Sequence, residues 1–394
     1  MNRLRLTTAG ESHGPGLLAT LSGMPAGLPV DFDELRRQMK RRMHGYGRGR
    51  RMKIESDTVA VRAGVRGGET LGSPIGLWIE NQDYANWQGV MHPETLDSKR
   101  ATQRRVHSPR PGHADLAGGI KYHRSDLRDV LERASARETA ARVAAGAFAH
   151  MLLGAFDIEI RSGVRALGSV GAGTPPPNWE DLLAMDDESP LRAANPALEA
   201  EMLALVDQAK AAGDTLGGAV TVVAHNVPAG LGSHTHWDEK LDGRLARAVM
   251  SVPAVKAVEI GAAIASSAGF GSAAHDPIEF NQDGGFSRPT NRAGGTEGGI
   301  TNGEDIVVTA YKKPISTLRQ GMPSVDLDTL EARTSQYERS DITALPAAGV
   351  IAEAMVALVL ADALLDKLGG DSLVELRAHW AATRGLQDEW PQGR

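Results

Sequence analysis

Nine of the eighteen residues from Arg36 to Lys53 are lysine or arginine: Arg36, Arg37, Lys40, Arg41, Arg42, Arg48, Arg50, Arg51 and Lys53. Guanidinium forks match the geometry of phosphates and carboxylates, so this density suits an anion-binding site. A solvated basic helix face carries comparable weight from this segment alone. Nucleic-acid binding is a third reading, and a formal charge of −6 with 4% aromatic residues counts against it. Two loop histidines read either as plain surface residues or as proton donors to a bound anion. His113 lies in Arg110-Pro111-Gly112-His113-Ala114-Asp115, and His13 lies in Gly10-Glu11-Ser12-His13-Gly14. Arg133 and Arg137 fall four apart in an alanine-rich stretch. They read either as an exposed i,i+4 network with Glu132 and Glu138 or as buried cations that need anionic partners. Further on, Gly294-Gly295-Thr296-Glu297-Gly298-Gly299 suits a phosphate cradle or a hairpin turn. Lys313-Pro314-Ile315-Ser316-Thr317 offers a cation and two hydroxyls, and Asp341 serves as a functional carboxylate or as a helix cap.

Helical periodicity predicts helices over Asp31–Met43, Leu127–Phe156, Asn195–Ala212, Asp238–Met250 and Gly349–Leu368. Strands are predicted over Leu17–Leu21, Thr58–Val65, Ile75–Glu80, Ile158–Val164, Ala219–Ala224 and Asp305–Tyr311. Strands and helices do not alternate regularly, which indicates α+β rather than a doubly wound parallel sheet. Two landmarks recur in order. Pro25-Ala26-Gly27-Leu28 has a counterpart in Pro228-Ala229-Gly230-Leu231, and Gly67-Gly68-Glu69-Thr70 one in Gly294-Gly295-Thr296-Glu297. They predict two related halves, about 1–190 and 191–394, of a single 1–394 domain, with Ser266–Asn291 as a long surface loop.

The chain has 394 residues, no cysteine and 45 glycines. Disulfides, zinc thiolate sites and thiol nucleophiles are therefore excluded. No run reaches about 18 unbroken apolar residues, since Glu353 and Asp362 interrupt Val350–Leu365. With no signal-peptide pattern at the start, the expectation is a soluble, cytoplasmic protein that engages neither membrane nor nucleic acid. A Walker A loop and a G-x-S-x-G elbow are missing from the sequence.

Taken together, the Ser12–His13 loop, Gly45-Tyr46-Gly47-Arg48-Gly49-Arg50-Arg51-Met52, Arg110–Asp115, Ser135-Ala136-Arg137-Glu138-Thr139, Asn291–Gly299 and Arg339-Ser340-Asp341 resemble chorismate synthase in order and along the whole chain. The resemblance implies a lyase that converts 5-enolpyruvylshikimate 3-phosphate to chorismate and phosphate by 1,4-anti elimination, the last step of the shikimate pathway. It implies reduced FMN as cofactor, a helical layer sandwiched between two antiparallel sheets, and a homotetramer. Ser12, Arg42, Arg48, Arg110 and Arg137 would bind substrate, and His13, His113 and Asp341 would be catalytic. Arg133, Ala134, Ser135, Pro253, Ala254, Gly298, Lys313, Pro314, Ile315, Ser316, Thr317 and Arg339 would hold the flavin. Arg42 and Arg48 carry a nicotinamide-binding role in members that reduce their own flavin. Here they are expected to meet substrate, with an external flavin reductase supplying reduced FMN and NADPH entering only indirectly. No metal is expected. After Val258-Glu259-Ile260-Gly261 the sequence departs from the common Asp-Gly and continues Ala262-Ala263-Ile264.

Overall fold

A computed structural model describes residues 3–48, 57–281, 285–336, 341–388 and 390. Its first half runs β1 (Arg5–Ala9), β2 (Gly16–Ser22), α1 (Phe32–Met43), β3 (Val59–Ala63), β4 (Ile75–Glu80), α2 (Tyr84–Met91), α3 (Arg128–Ala134) and α4 (Thr139–Gly154). The second half runs β5 (Glu159–Leu167), β6 (Gly218–His225), α5 (Leu241–Met250), β7 (Val255–Ile260), β8 (Ile306–Lys312) and α6 (Leu345–Leu368). Each half builds one four-stranded antiparallel sheet. The strand orders are β1-β2-β4-β3 and β5-β6-β8-β7, the same path taken twice.

Helices α1, α4, α5 and α6 fill the space between the sheets. α4 lies on the first sheet, α6 on the second, and the two helices pack on each other. Alanine and glycine make that crossing close. A Cβ on Gly146 of α4 would stand 2.4 Å from the Ala354 side chain of α6. By length and hydropathy α6 matches a membrane span, yet it is buried along most of its length as the centre of this layer. The expected α+β sandwich of related halves is therefore what the chain forms.

The halves share a latch. The Thr70 hydroxyl donates to the Pro25 carbonyl (2.5 Å) and accepts the Leu28 N–H (3.0 Å). The Thr301 hydroxyl donates to the Pro228 carbonyl (2.6 Å) and accepts the Leu231 N–H (2.8 Å). Gly67-Gly68-Glu69-Thr70 thus corresponds to Gly298-Gly299-Ile300-Thr301, four residues later than the sequence pairing with Gly294–Glu297. Two Gly-Gly pairs lie close together there, and only the threonine bonds tell them apart.

Other expectations need correction. Leu127–Phe156 is not one helix. It breaks at Ser135, whose backbone is extended and whose hydroxyl accepts the Arg137 N–H, a local bond that competes with the helical one. Arg133 and Arg137 consequently do not share a helix face. Ser266–Asn291 is not a plain loop, because a turn of helix at Gly271–Ala274 and a hairpin of Glu279–Asn281 with Gly285–Ser287 lie within it. Strand β7 and the helix Leu373–Asp388 escaped the periodicity search.

One buried carboxylate ties the layers together. Glu353 of α6 has no exposed surface, and Arg41 of α1 donates to it through both Nη atoms (2.6 and 2.9 Å). The Ser162 hydroxyl of β5 donates to the same carboxylate (2.5 Å), and the Arg192 guanidinium lies 3.4 Å away. Burial alone would raise the Glu353 pKa, but Arg41 and Arg192 outweigh it and hold it at about 2. Truncating one partner of such a cluster strands charge, so Glu353→Ala should cost about 3–5 kcal/mol in urea unfolding. Because the folded pKa is depressed, this contribution is present above the unfolded value of roughly 4.3. It is lost as pH falls from there towards 2, and Glu353→Gln should flatten that part of the stability profile.

Candidate active site

The C-terminal end of α1, the break between α3 and α4, the loop joining β1 to β2 and the end of β8 surround one cavity of about 1520 Å³. Among the described residues, ten lysine and arginine side chains line it against three carboxylates, Asp83, Glu138 and Asp341. A chain of charge −6 thus carries a concentrated positive site. On its wall, buried Arg42 donates to Asp57 (2.7 Å), to the Thr139 hydroxyl (3.2 and 3.1 Å) and to the Ala136 carbonyl (3.1 Å). Arg137 donates to the other Asp57 oxygen. Burial would raise the Asp57 carboxyl, but the two guanidiniums outweigh it and hold it below its usual range. Two cations on one carboxylate leave a net positive charge facing the cavity. Arg48 pairs with Asp341 at 3.2 Å.

His13 rides on the loop between β1 and β2. Gly10 has φ +106°, and a Cβ there would stand 2.4 Å from the Gly16 carbonyl, so the turn requires glycine. The Asn81 amide fixes the loop by donating to the Ser12 (3.0 Å) and Gly14 (2.9 Å) carbonyls. Buried Glu132 accepts both the His13 backbone N–H (2.7 Å) and Nδ1 (2.8 Å), and also Arg128 (3.0 Å). Burial would raise Glu132, yet its bonds with His13 and the charge of Arg128 bring it below the ordinary carboxylate value. A carboxylate on Nδ1 favours the tautomer with the proton there, which turns Nε2 away from Glu132. Trp87 of α2 stacks on the imidazole at 3.7 Å and carries Arg104 at 4.1 Å from its ring.

His113 repeats the arrangement. Its Nδ1 lies 2.5 Å from fully buried Asp115, and the Arg110 fork donates to the same carboxylate (2.8 and 3.1 Å). Burial opposes ionisation of Asp115, but the His113 and Arg110 hydrogen bonds prevail and hold it far below its usual range. Two histidines, each backed by a buried carboxylate and open to one anion-seeking cavity, form a pair of positioned proton carriers.

Most residues singled out by sequence meet here. Ser12, His13, Arg42, Arg48, Arg110, His113, Arg133, Ala134, Ser135, Arg137, Pro253, Ala254, Lys313, Ile315, Ser316, Thr317 and Asp341 line the cavity. Pro314 sits inside the lining strip without forming wall. Gly298 lies apart from the cavity, in the hairpin Thr296–Thr301 of the second half. Arg339 is outside the described residues. Several roles shift. Arg110 lines the cavity and is also bonded to Asp115 and the Thr317 hydroxyl (2.9 Å), which ties it to His113. Arg133 holds the Gly10 and Thr8 carbonyls (3.1 Å each), and the Lys313 ammonium donates to the Gly112 carbonyl. Asp341 is not a cap, since α6 begins at Leu345 without a side-chain cap. Sequence reading missed Asp57, Trp87 and Lys312, and named Glu132 only within the exposed-network alternative.

Small side chains at Ala134, Ser135, Ala254 and Ser316, with Lys313 N–H bonded to the Ala254 carbonyl (2.9 Å), leave accessible backbone suited to a planar group with polar edges. The volume exceeds the ~300–1,000 Å³ usual for one ligand. The cavity has room for more than one ligand.

The model of the family described as chorismate synthase matches residues 4–365. The chain belongs to the chorismate synthase family. The chorismate synthase of Moorella thermoacetica is 53% identical, covering 98% of this chain and 100% of that protein. That of Thermus thermophilus is 52% identical over 95% and 97%. A crystal structure of a chorismate synthase superposes with TM-score 0.76 at 41% identity, over 96% of this chain and 97% of that one. The cavity is thus the candidate active site of a lyase in the pathway to the aromatic amino acids. Its electrostatics make a prediction that needs no assay of turnover. Asp57→Asn should lower stability by about 3 kcal/mol in urea unfolding by leaving two buried guanidiniums under-neutralised. Millimolar inorganic phosphate should restore part of that loss, raising the melting temperature of the variant more than that of the wild type.

Proposed function

We propose that the chain converts 5-enolpyruvylshikimate 3-phosphate to chorismate and phosphate by 1,4-anti elimination with reduced FMN. The observation that carries this reading is the pair of carboxylate-backed histidines, His13–Glu132 and His113–Asp115, on one cation-walled cavity with room for two ligands. A substrate with a phosphate and two carboxylates needs several converging cations. Arg42, Arg48 and Arg137 supply them, and Ser12 adds a hydroxyl. His13, its Nδ1 proton fixed by Glu132, protonates the departing phosphate through Nε2. Asp341, held by Arg48, is the carboxylate placed to share in removal of the ring proton. His113, steadied by Asp115 and Arg110, offers a proton at the N1 edge of the flavin. The backbone and side chains of Arg133–Ser135, Pro253–Ala254 and Lys313–Thr317 would hold that flavin. When bound, the reduced flavin supplies electron density that eases breakage of an allylic C–O bond beside an unactivated C–H. The same proposal includes a cytoplasmic homotetramer supplied by an external flavin reductase, with NADPH acting only through that reductase.

Under anaerobic conditions with reduced FMN, the enzyme should release one phosphate per substrate and none without reductant. Absence of release would overturn the reaction assigned. His13→Ala and His113→Ala should each slow turnover by about 10²–10⁴-fold, the usual span for loss of a general acid or base. FMN titrated with substrate present should bind more tightly than FMN alone.

A further inference from the structure

Lys312 has no place in the roles above. It is the last residue of β8, where Ile306, Val308 and Ala310 point into the main core and alternation puts Lys312 on the same inner face. Beyond the edge of that core the face opens on the cavity, and Lys312 forms part of its wall. Its neighbours point elsewhere. The Tyr311 hydroxyl meets Glu259 on the outer face, and the Lys313 ammonium is committed to the Gly112 carbonyl.

The other cations at the heart of the cavity have protein partners: Arg42 and Arg137 on Asp57, Arg48 on Asp341, Arg110 on Asp115. The Lys312 side chain makes no hydrogen bond or ion pair among the described residues. A partly buried ammonium whose side chain has no hydrogen-bond or ion-pair partner among the described residues is costly, and an anion entering the cavity would relieve it. We propose that Lys312 is an anion-binding residue of this site, its ammonium contacting a phosphate or carboxylate oxygen of the bound ligand. The proposal rests on the reading of the cavity as a site for anionic ligands.

The surroundings agree. Burial pushes the Lys312 ammonium down, Asp341 pushes it up, and Arg48 and Lys313 push it down again, leaving it at about 8. Those three are the charged groups that bear on it among the described residues; Glu338 and Arg339, shortly before Asp341, lie outside them. An arriving oxyanion favours the charged form, so binding above pH 8 draws a proton onto Lys312. Below that pH the ammonium is already formed and no uptake is needed.

The test uses oxidised FMN alone, and 5-enolpyruvylshikimate 3-phosphate added to the complex with oxidised FMN, where no turnover occurs. Calorimetry above pH 8 in two buffers of different ionisation enthalpy reads both affinity and proton uptake. Lys312→Met should weaken at least one probe by about 10- to 100-fold, as expected for loss of a charged hydrogen bond. Lys312→Arg should hold affinity within a few-fold yet abolish the uptake, because a guanidinium is already charged. If FMN is the probe weakened, the anion is the flavin phosphate; if the shikimate compound, it is an oxyanion of the substrate. Unchanged affinity for both probes in a folded Lys312→Met protein overturns the proposal. A wild type that binds FMN through Lys312 but releases no phosphate when reduced overturns the proposed reaction and leaves this inference standing.

Discussion

The need to neutralise buried guanidinium charge governs this molecule. Arginine cannot shed its proton at any accessible pH, so each one taken from water must find a carboxylate or carbonyl in the fold. Asp57, Asp115, Glu132 and Glu353 meet that need, all of them buried. Each draws together elements distant in the chain. Glu353 joins the two halves through Arg41, Asp57 joins the approach to β3 with α1 and the break before α4, and Glu132 joins α3 to the loop after β1. The sheets and helices supply surfaces, but these carboxylates settle how the surfaces meet around the cavity.

Arg41 and Arg42 show the constraint at its sharpest. One residue is about 100° of turn on a helix. Arg41 therefore faces the interior and pairs with Glu353, while Arg42 faces the cavity and pairs with Asp57. Stability and ligand recognition are fastened to adjacent positions of one helix, and neither side chain can shift without moving the other. The earlier positions of the basic run form a solvated face. Arg36, Arg37 and Lys40 pair at the surface with Asp33, Glu34 and Glu188.

Much of this was legible in the sequence because it is local. Alternation marked β2, β4, β6 and β8, and acids leading a run of bases marked α1, whose Asp31 caps the first turn. Repeated Pro-Ala-Gly-Leu marked the two halves. Arginine and histidine in glycine-rich surroundings marked most of the cavity wall, since those residue types advertise their chemistry. What stayed hidden were the partners. Glu132 lies 119 positions from His13 and Glu353 lies 312 from Arg41, and no periodicity links them. Ser135 was hidden for another reason. A helical pattern on both sides cannot show that one hydroxyl will capture the next turn's N–H and split the segment.

The stack of Trp87 on His13 has an optical consequence. Indole emission is quenched differently by a neutral and a charged imidazole, and the two rings here are 3.7 Å apart and inclined by 27°. Trp87 is one of six tryptophans, so the difference between the wild-type spectrum and that of Trp87→Phe isolates its share. The fold has placed a chromophore against the group proposed to protonate the leaving phosphate. Its light reports, without label or coupled assay, when that proton is present and when it has gone.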